Sequence, residues 1–215
     1  MLNLAEYRHK ADRLADHLPW AALVAPGVVL NKDGSFMSIL RFRGPDLESA
    51  TQAELVSTCA RANNVLKRFG TGWALFFEAE RREAAAYPAS RFPDAVSWLV
   101  DEERRGAFMA EGTHYESRYY LTLTWLPPAD SSDAANRSLV ERPEAEKGRD
   151  WRGCLATFVA ETSRARDLFD GFMPEVRALD DAETLTYLHG TISDRHHMVA
   201  PPETPIYLDA LLADT

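Results

Sequence analysis

Hydrophobic side chains recur at spacings of three and four along the first eighteen residues. The positions are Leu4, Tyr7, Ala11, Leu14 and Leu18. This spacing predicts one apolar stripe on a helix that ends before Pro19. Two β-rich runs follow, Leu23–Leu30 and Phe36–Phe42, joined by a turn in which Gly34 is free to adopt positive φ. The chain is therefore predicted to open with a helix and a strand pair.

Helical and strand patterns then alternate as far as residue 128. They predict a helix at about Ser49–Phe69, a strand at Trp73–Glu80, a helix from Phe92 and a long strand at Tyr115–Leu126. On the second of these helices Val96, Leu99, Val100 and Phe108 are apolar. Helices placed between strands need a sheet to cover, which indicates an α+β domain over residues 1–128.

Residues 129–150 differ from the rest of the chain because they are polar and charged, with almost no large apolar side chains. Such a segment buries too little surface to offset its ordering entropy, so we predict a mobile loop that a protease cuts first. A long amphipathic helix follows from Trp151, and Asp180 or Asp181 is placed to cap a further helix to about His189. Residues 151–215 are therefore predicted to be a helical segment that completes the domain.

The predicted fold class is α+β, with a mixed or mainly antiparallel sheet, helices on one face and a C-terminal helical part. Large apolar groups nevertheless occur on both faces of two strands. They are Trp73, Phe76, Phe77, Tyr119, Tyr120 and Trp125. A sheet with one solvent-exposed face shows a stricter alternation of apolar and polar residues along its strands. Two alternatives stay open: helices of this chain cover both faces, or one face is a docking surface.

Charge and cysteine content narrow the class of protein. The formal net charge is −9, which disfavours non-specific binding to nucleic acid or to anionic lipid. The two cysteines, Cys59 and Cys154, fall on apolar sides of predicted helices, where small buried side chains are expected. No apolar run approaches the ~20 residues that span a bilayer. These features predict a cytosolic protein that reaches a membrane only through a partner.

Four runs of the sequence resemble the N-terminal region of the TrbE-type conjugal transfer ATPases of type IV secretion. They are Leu18–Leu47, Ala60–Arg81, Phe92–Arg105 and Glu116–Pro128, with a weaker run near the end of the chain. The resemblance implies a protein that hydrolyses ATP at the cytoplasmic side of the bacterial inner membrane. It implies that the N-terminal region anchors the motor to small inner-membrane subunits and helps it to oligomerise.

The lysines exclude a P-loop in this chain. That loop needs a glycine directly before its lysine, and none of Lys10, Lys32, Lys67 and Lys147 follows a glycine. We therefore expect a non-catalytic N-terminal domain with no cofactor of its own. By resemblance, ATP and Mg²⁺ belong to the missing motor domain. The stripe from Leu4 to Leu18 is the predicted partner interface, and its alternative is packing on this chain's own sheet.

The alternative hypothesis is a free-standing metal-dependent enzyme. His189, His196 and His197, with Asp194 nearby, form the densest group of possible metal ligands. Glu78 and Glu80 share the outer face of a predicted strand and would suit acid–base chemistry if burial raised one pKa. The simpler interpretation is structural histidines and a solvated charged edge.

Overall fold

The computed structural model describes residues 13–46, 48–84, 87–128, 151–195, 197–204 and 206–213. These ranges contain six strands and six helices. In chain order they are α1 (Leu14–His17), β1 (Trp20–Ala25), β2 (Val28–Asn31), β3 (Phe36–Arg43), α2 (Gln52–Leu66), β4 (Trp73–Glu83), α3 (Ala95–Glu111), β5 (Tyr115–Trp125), α4 (Trp151–Asp170), β6 (Glu175–Ala178), α5 (Asp181–Gly190) and α6 (Leu208–Ala213). The loop predicted at 129–150 lies outside the described residues, as do Leu4, Tyr7, Ala11 and His196.

All six strands belong to one antiparallel sheet with the order β1-β2-β3-β5-β4. The short strand β6 pairs with the end of β3, from Leu40 to Arg43. Because β5 occupies the other edge of β3, β6 lies on the same side of β3 as β2. The α+β prediction is confirmed, in its antiparallel form.

The first strand of the predicted pair is in fact two strands. The chain reverses at Pro26–Gly27, so β1 and β2 form a tight hairpin inside the run predicted as one strand from Leu23 to Leu30. Gly27 has φ +65°, and a Cβ there would lie 2.2 Å from the carbonyl oxygen of Leu179. The next turn was predicted correctly, with Gly34 at φ +86°.

Helices α2 and α4 cover one face of the sheet. Val65 of α2 and Phe169 of α4 pack against Leu40, Leu121 and Leu123. Nearer β2, the ring of Phe158 stacks on Trp73 with centroids 5.5 Å apart and lies 5.7 Å from Phe36. The apolar face predicted for α4 is confirmed by its buried side chains Phe158, Thr162, Ala165 and Phe169.

Helices α5 and α6 cover the opposite face. Leu185 and Leu188 of α5 and Leu208 and Leu212 of α6 share one buried cluster with Ile39 and Tyr120. Ile39 and Leu40 are neighbours on β3 and point to opposite faces, so the two clusters lie on opposite sides of the sheet. The expectation of helices on one face is wrong, because the C-terminal segment returns to cover the second face.

The spacing of apolar residues in α2 predicts more buried side chains than the structure shows. Only its C-terminal half reaches the core, through Ala62, Val65 and Leu66, while Val56 is exposed. Cys59 is exposed, so its prediction as a buried side chain is wrong; Cys154 is half-buried and packs beside Phe158. The apolar stripe of α2 is therefore buried at its C-terminal end and exposed nearer its N-terminal end.

Candidate interaction surfaces

Large exposed apolar side chains collect on β4, on α3 and at the start of β5. They are Phe76, Phe77, Val96, Trp98, Leu99, Val100, Met109, Tyr115 and Tyr119. Phe76 is 60% exposed and Phe77 is 56% exposed, although adjacent residues of a strand point to opposite faces. Exposed apolar side chains concentrated in consecutive elements of the chain are candidates for contact with another protein.

The position of β4 explains why both phenylalanines are exposed. Within the described part of the chain, β4 is the last strand of the sheet and pairs with β5 alone. It carries Glu78, Glu80, Arg81, Arg82 and Glu83, and such charges protect an edge strand against pairing with another sheet. The faces of β4, rather than its edge, are therefore the parts of the strand open to an apolar contact.

Helix α3 joins β4 to β5 and is held by contacts along one side. The hydroxyl of Tyr87 donates to Asp101 at 2.7 Å, and the ring of Phe108 stacks on His114 at 3.7 Å. Asp94 caps the helix by accepting from the backbone N–H of Ser97 at 2.8 Å, and this hydrogen bond lowers the pKa of Asp94. Asp101 and Phe108 therefore lie on the side of α3 that contacts its flanking segments.

The other side of α3 faces solvent. Val96, Leu99 and Val100 recur at i, i+3 and i+4, which places them together on one face of the helix. All three are exposed, and Val96 is 72% exposed. Trp98 and Met109 are also exposed. Of the apolar residues predicted on this helix, Phe108 alone turns toward the chain.

The predicted N-terminal stripe is divided between core and surface. Leu18 is 5% exposed and belongs to the buried cluster that includes Leu208 and Leu212 of α6. Leu14 is 49% exposed on α1. Leu4, Tyr7 and Ala11 lie outside the described residues. The stripe as a partner interface stays a prediction, in which Leu14 rather than Leu18 is available to a partner.

The histidines do not assemble a metal site within the ranges that the structure describes. His189 is buried, and its ring centroid lies 4.6 Å from that of His197. Its Nδ1 atom has no hydrogen-bond partner among the described residues. No group of three metal-binding side chains comes together within those residues. The hypothesis of a metal-dependent enzyme gains no support there.

The two carboxylates of β4 have structural partners. Glu78 accepts a hydrogen bond of 2.5 Å from the hydroxyl of Tyr187 on α5, and Glu80 pairs with Arg82 at 2.6 Å. Burial raises the pKa of Tyr187, and its hydrogen bond to Glu78 adds to the effect. The contact with Tyr187 fastens α5 to β4, and both carboxylates are engaged in ways that suit a structural role.

A second polar contact fixes the start of α5. Asp180 and Glu183 form a capping box, and Glu183 also accepts two hydrogen bonds from Arg177 of β6, at 2.6 and 2.7 Å. The Arg177 guanidinium lowers the pKa of the Glu183 carboxyl. Of the two caps predicted, Asp180 or Asp181, the structure shows Asp180 at the N-cap. Strand β6, which supplies Arg177, was not predicted from the sequence.

Known proteins are similar in sequence to this chain. Residues 27–133 match the family described as type IV secretion system ATPase VirB4/TrbE, N-terminal domain. The chain is 36% identical over 230 residues to a protein of Rhizobium radiobacter named conjugal transfer protein TrbE, an alignment that covers 99% of this chain and 28% of that protein. It is 41% identical over 140 residues to a protein of Sinorhizobium fredii named as the first portion of a probable conjugal transfer protein TrbE, covering 64% of this chain and 94% of that protein.

The matched residues include both exposed elements, β4 and α3. The chain spans 28% of the length of the Rhizobium radiobacter protein, so most of that protein has no counterpart here. Among the described residues, no helix combines the length and the apolar character that crossing a membrane requires.

Proposed function

Because the chain belongs to the VirB4/TrbE family of type IV secretion system ATPases, in which it matches the N-terminal domain, we propose that it joins an ATPase motor to a conjugal transfer apparatus. In this proposal the domain is non-catalytic. It anchors the motor and helps it to oligomerise, while a separate domain binds ATP and Mg²⁺. The whole protein would hydrolyse ATP to drive conjugative transfer or pilus assembly.

The exposed apolar side chains on β4 and on α3 are the observation that supports an anchoring role. Helices of this chain cover the centre of the sheet on both faces and form buried apolar clusters there. Phe76, Phe77 and Leu99 remain outside that core. These side chains are about 60% exposed, so their burial by a partner contributes about 1–2 kcal/mol each before ordering costs.

Small inner-membrane subunits of the secretion apparatus are the proposed partners. The domain would then lie at the cytoplasmic face of the inner membrane and be held there by protein contacts. Direct contact with nucleic acid or with anionic lipid is disfavoured by the net charge of −9. The N-terminal stripe, with the half-exposed Leu14, is a second candidate for the docking surface.

Co-expression tests this role directly. The tagged chain is produced with and without the inner-membrane subunits of the same apparatus, and membranes are separated from the soluble fraction by flotation. We expect the chain to float with the membranes only when the subunits are present. Flotation with phosphatidylglycerol vesicles alone would contradict protein-mediated anchoring. A chain that stays in the soluble fraction beside its subunits would refute the role.

A further inference from the structure

Lys32 extends from the turn between β2 and β3 and joins α1 to α6. Its ammonium group donates to the carbonyl oxygen of Ala15 in α1 at 2.8 Å and pairs with the Asp209 carboxylate of α6 at 2.7 Å. Its backbone N–H donates to the carbonyl oxygen of Pro19 at 2.7 Å. One residue between two strands therefore contacts α1, the segment that follows α1, and α6.

The turn that carries Lys32 is fixed by its own hydrogen bonds. The Asp33 carboxylate accepts from the backbone N–H and from the hydroxyl of Ser35, at 2.9 and 2.7 Å, and the side-chain amide of Asn31 donates to the same hydroxyl at 2.9 Å. The backbone N–H of Gly34 donates to the carbonyl oxygen of Asn31 at 3.0 Å. The Lys32 side chain therefore extends from a backbone whose position is set by the turn.

The two acceptors of the Lys32 ammonium group are also fixed in place. Asp209 lies in the first turn of α6, and its other carboxylate oxygen accepts from the backbone N–H of Ala210 at 2.7 Å. The carbonyl oxygen of Ala15 also accepts from the backbone N–H of Leu18 at 3.3 Å. Leu18 is buried in one cluster with side chains of α6. The two helices thus meet through apolar packing and through Lys32.

We propose that Lys32 couples α1 to α6, so that loosening either helix loosens the other. Ordering one lysine side chain has a single entropy cost, and here two contacts offset it. Loss of the Asp209 contact therefore weakens the contact with Ala15 as well. The coupling is reciprocal by thermodynamic linkage, so a partner that displaced α1, the helix of Leu14, would also loosen α6. It does not depend on the proposed anchoring role.

Native-state hydrogen exchange measures the coupling at individual backbone amides. Leu18 reports on α1, because its N–H donates to the carbonyl oxygen of Ala15. Leu211 reports on α6, because its N–H donates to the carbonyl oxygen of Tyr207 at 3.2 Å. The amide of the buried Phe169 in α4 is the reference for opening of the whole domain.

Two variants remove one side of the contact each. Asp209→Asn removes the negative charge on α6, and Lys32→Met removes the ammonium group while keeping an unbranched side chain. Asp170→Asn and Lys67→Met make the same two changes at exposed positions at the end of α4 and after α2, and serve as matched controls. A double variant combines Asp209→Asn with Lys32→Met.

We expect Asp209→Asn to speed exchange at Leu211 and also at Leu18, by about two- to fivefold at each, the range of a partly exposed ion pair. Lys32→Met should have the same effect on both amides. In the double variant, Leu18 should exchange no faster than in Lys32→Met alone, because Asp209 acts on α1 through Lys32. The control variants should leave both amides unchanged.

Three results would overturn the coupling. One is faster exchange at Leu211 with an unchanged Leu18 in Asp209→Asn. Another is an effect of the double variant on Leu18 that equals the product of the two single effects. The third is an increase at Phe169 as large as that at Leu18, since the substitution would then act on the whole domain rather than on a link between two helices.

Discussion

Two leucines of the same predicted stripe should respond differently to the same substitution. Leu18 is 5% exposed within the cluster formed with α6, so Leu18→Ala removes a core side chain and should cost about 2–5 kcal/mol. Leu14 is 49% exposed, so only about half of its side chain is buried, and Leu14→Ala should cost about half the value of a fully buried leucine, about 0.7–1.5 kcal/mol. With total stabilities of about 5–15 kcal/mol for single domains, the first change is severe.

Thermal denaturation followed by circular dichroism measures the difference. For a domain of this size each kcal/mol shifts the melting temperature by about 2–4 °C. Leu18→Ala should therefore lower it by about 4–20 °C and Leu14→Ala by about 1–6 °C. Equal shifts would refute the assignment of Leu18 to the core and Leu14 to the surface. If Leu14 contacts a partner, Leu14→Asp should reduce membrane recruitment at a nearly unchanged melting temperature.

Three further predictions concern nucleotide binding, a turn and acid stability. Titration calorimetry with Mg-ATP should show no saturable micromolar binding to this chain, because no lysine follows a glycine as a P-loop requires; saturable binding would contradict the proposal of a non-catalytic domain. Gly27→Ala should cost roughly 2 kcal/mol or more of unfolding free energy, since its Cβ would meet the Leu179 carbonyl oxygen at 2.2 Å. Gly44 has open space around it, so Gly44→Ala is the control and should cost far less. Urea denaturation measures both values. Glu183→Gln should destabilise the protein at pH 7, because Arg177 lowers the pKa of Glu183. That difference should shrink once the pH falls below the unfolded pKa of about 4.3 and disappear below the lower pKa of the folded state. A constant difference at all pH values would show that the charge contributes nothing.

Local chemistry made several features of the fold predictable. Gly34 lies in an Asn-Lys-Asp-Gly turn, where the backbone conformation depends on the residue itself, and its positive φ is confirmed. Asp180 and Glu183 lie three residues apart at the start of a helix, a spacing that lets each side chain bond the other's backbone N–H. Both signals need only four residues and no distant contact.

Elements that depend on distant contacts were missed. Pro26–Gly27 lies inside a continuous apolar run, and its turn packs against the carbonyl of Leu179, more than 150 residues away in sequence. Strand β6 has four residues, of which Glu175 and Arg177 are charged, so it shows no apolar run of its own. It becomes a strand because β3 offers an unoccupied edge beyond β2.

The sequence could not predict which apolar helix faces are buried and which are exposed. The periodicities of α3 and α4 are similar, yet α4 buries Phe158 and Phe169 while α3 leaves Val96 and Leu99 in solvent. An apolar helix face has the same pattern whether its cover is the same chain or another protein. The distinction comes from the sheet: α4 packs on its central strands, whereas α3 links the last pair, β4 and β5, and joins none of the buried clusters. A docking helix of this kind therefore has the same apolar spacing as a core helix. It is recognised only when the structure shows that its apolar face is outside the core of its own domain.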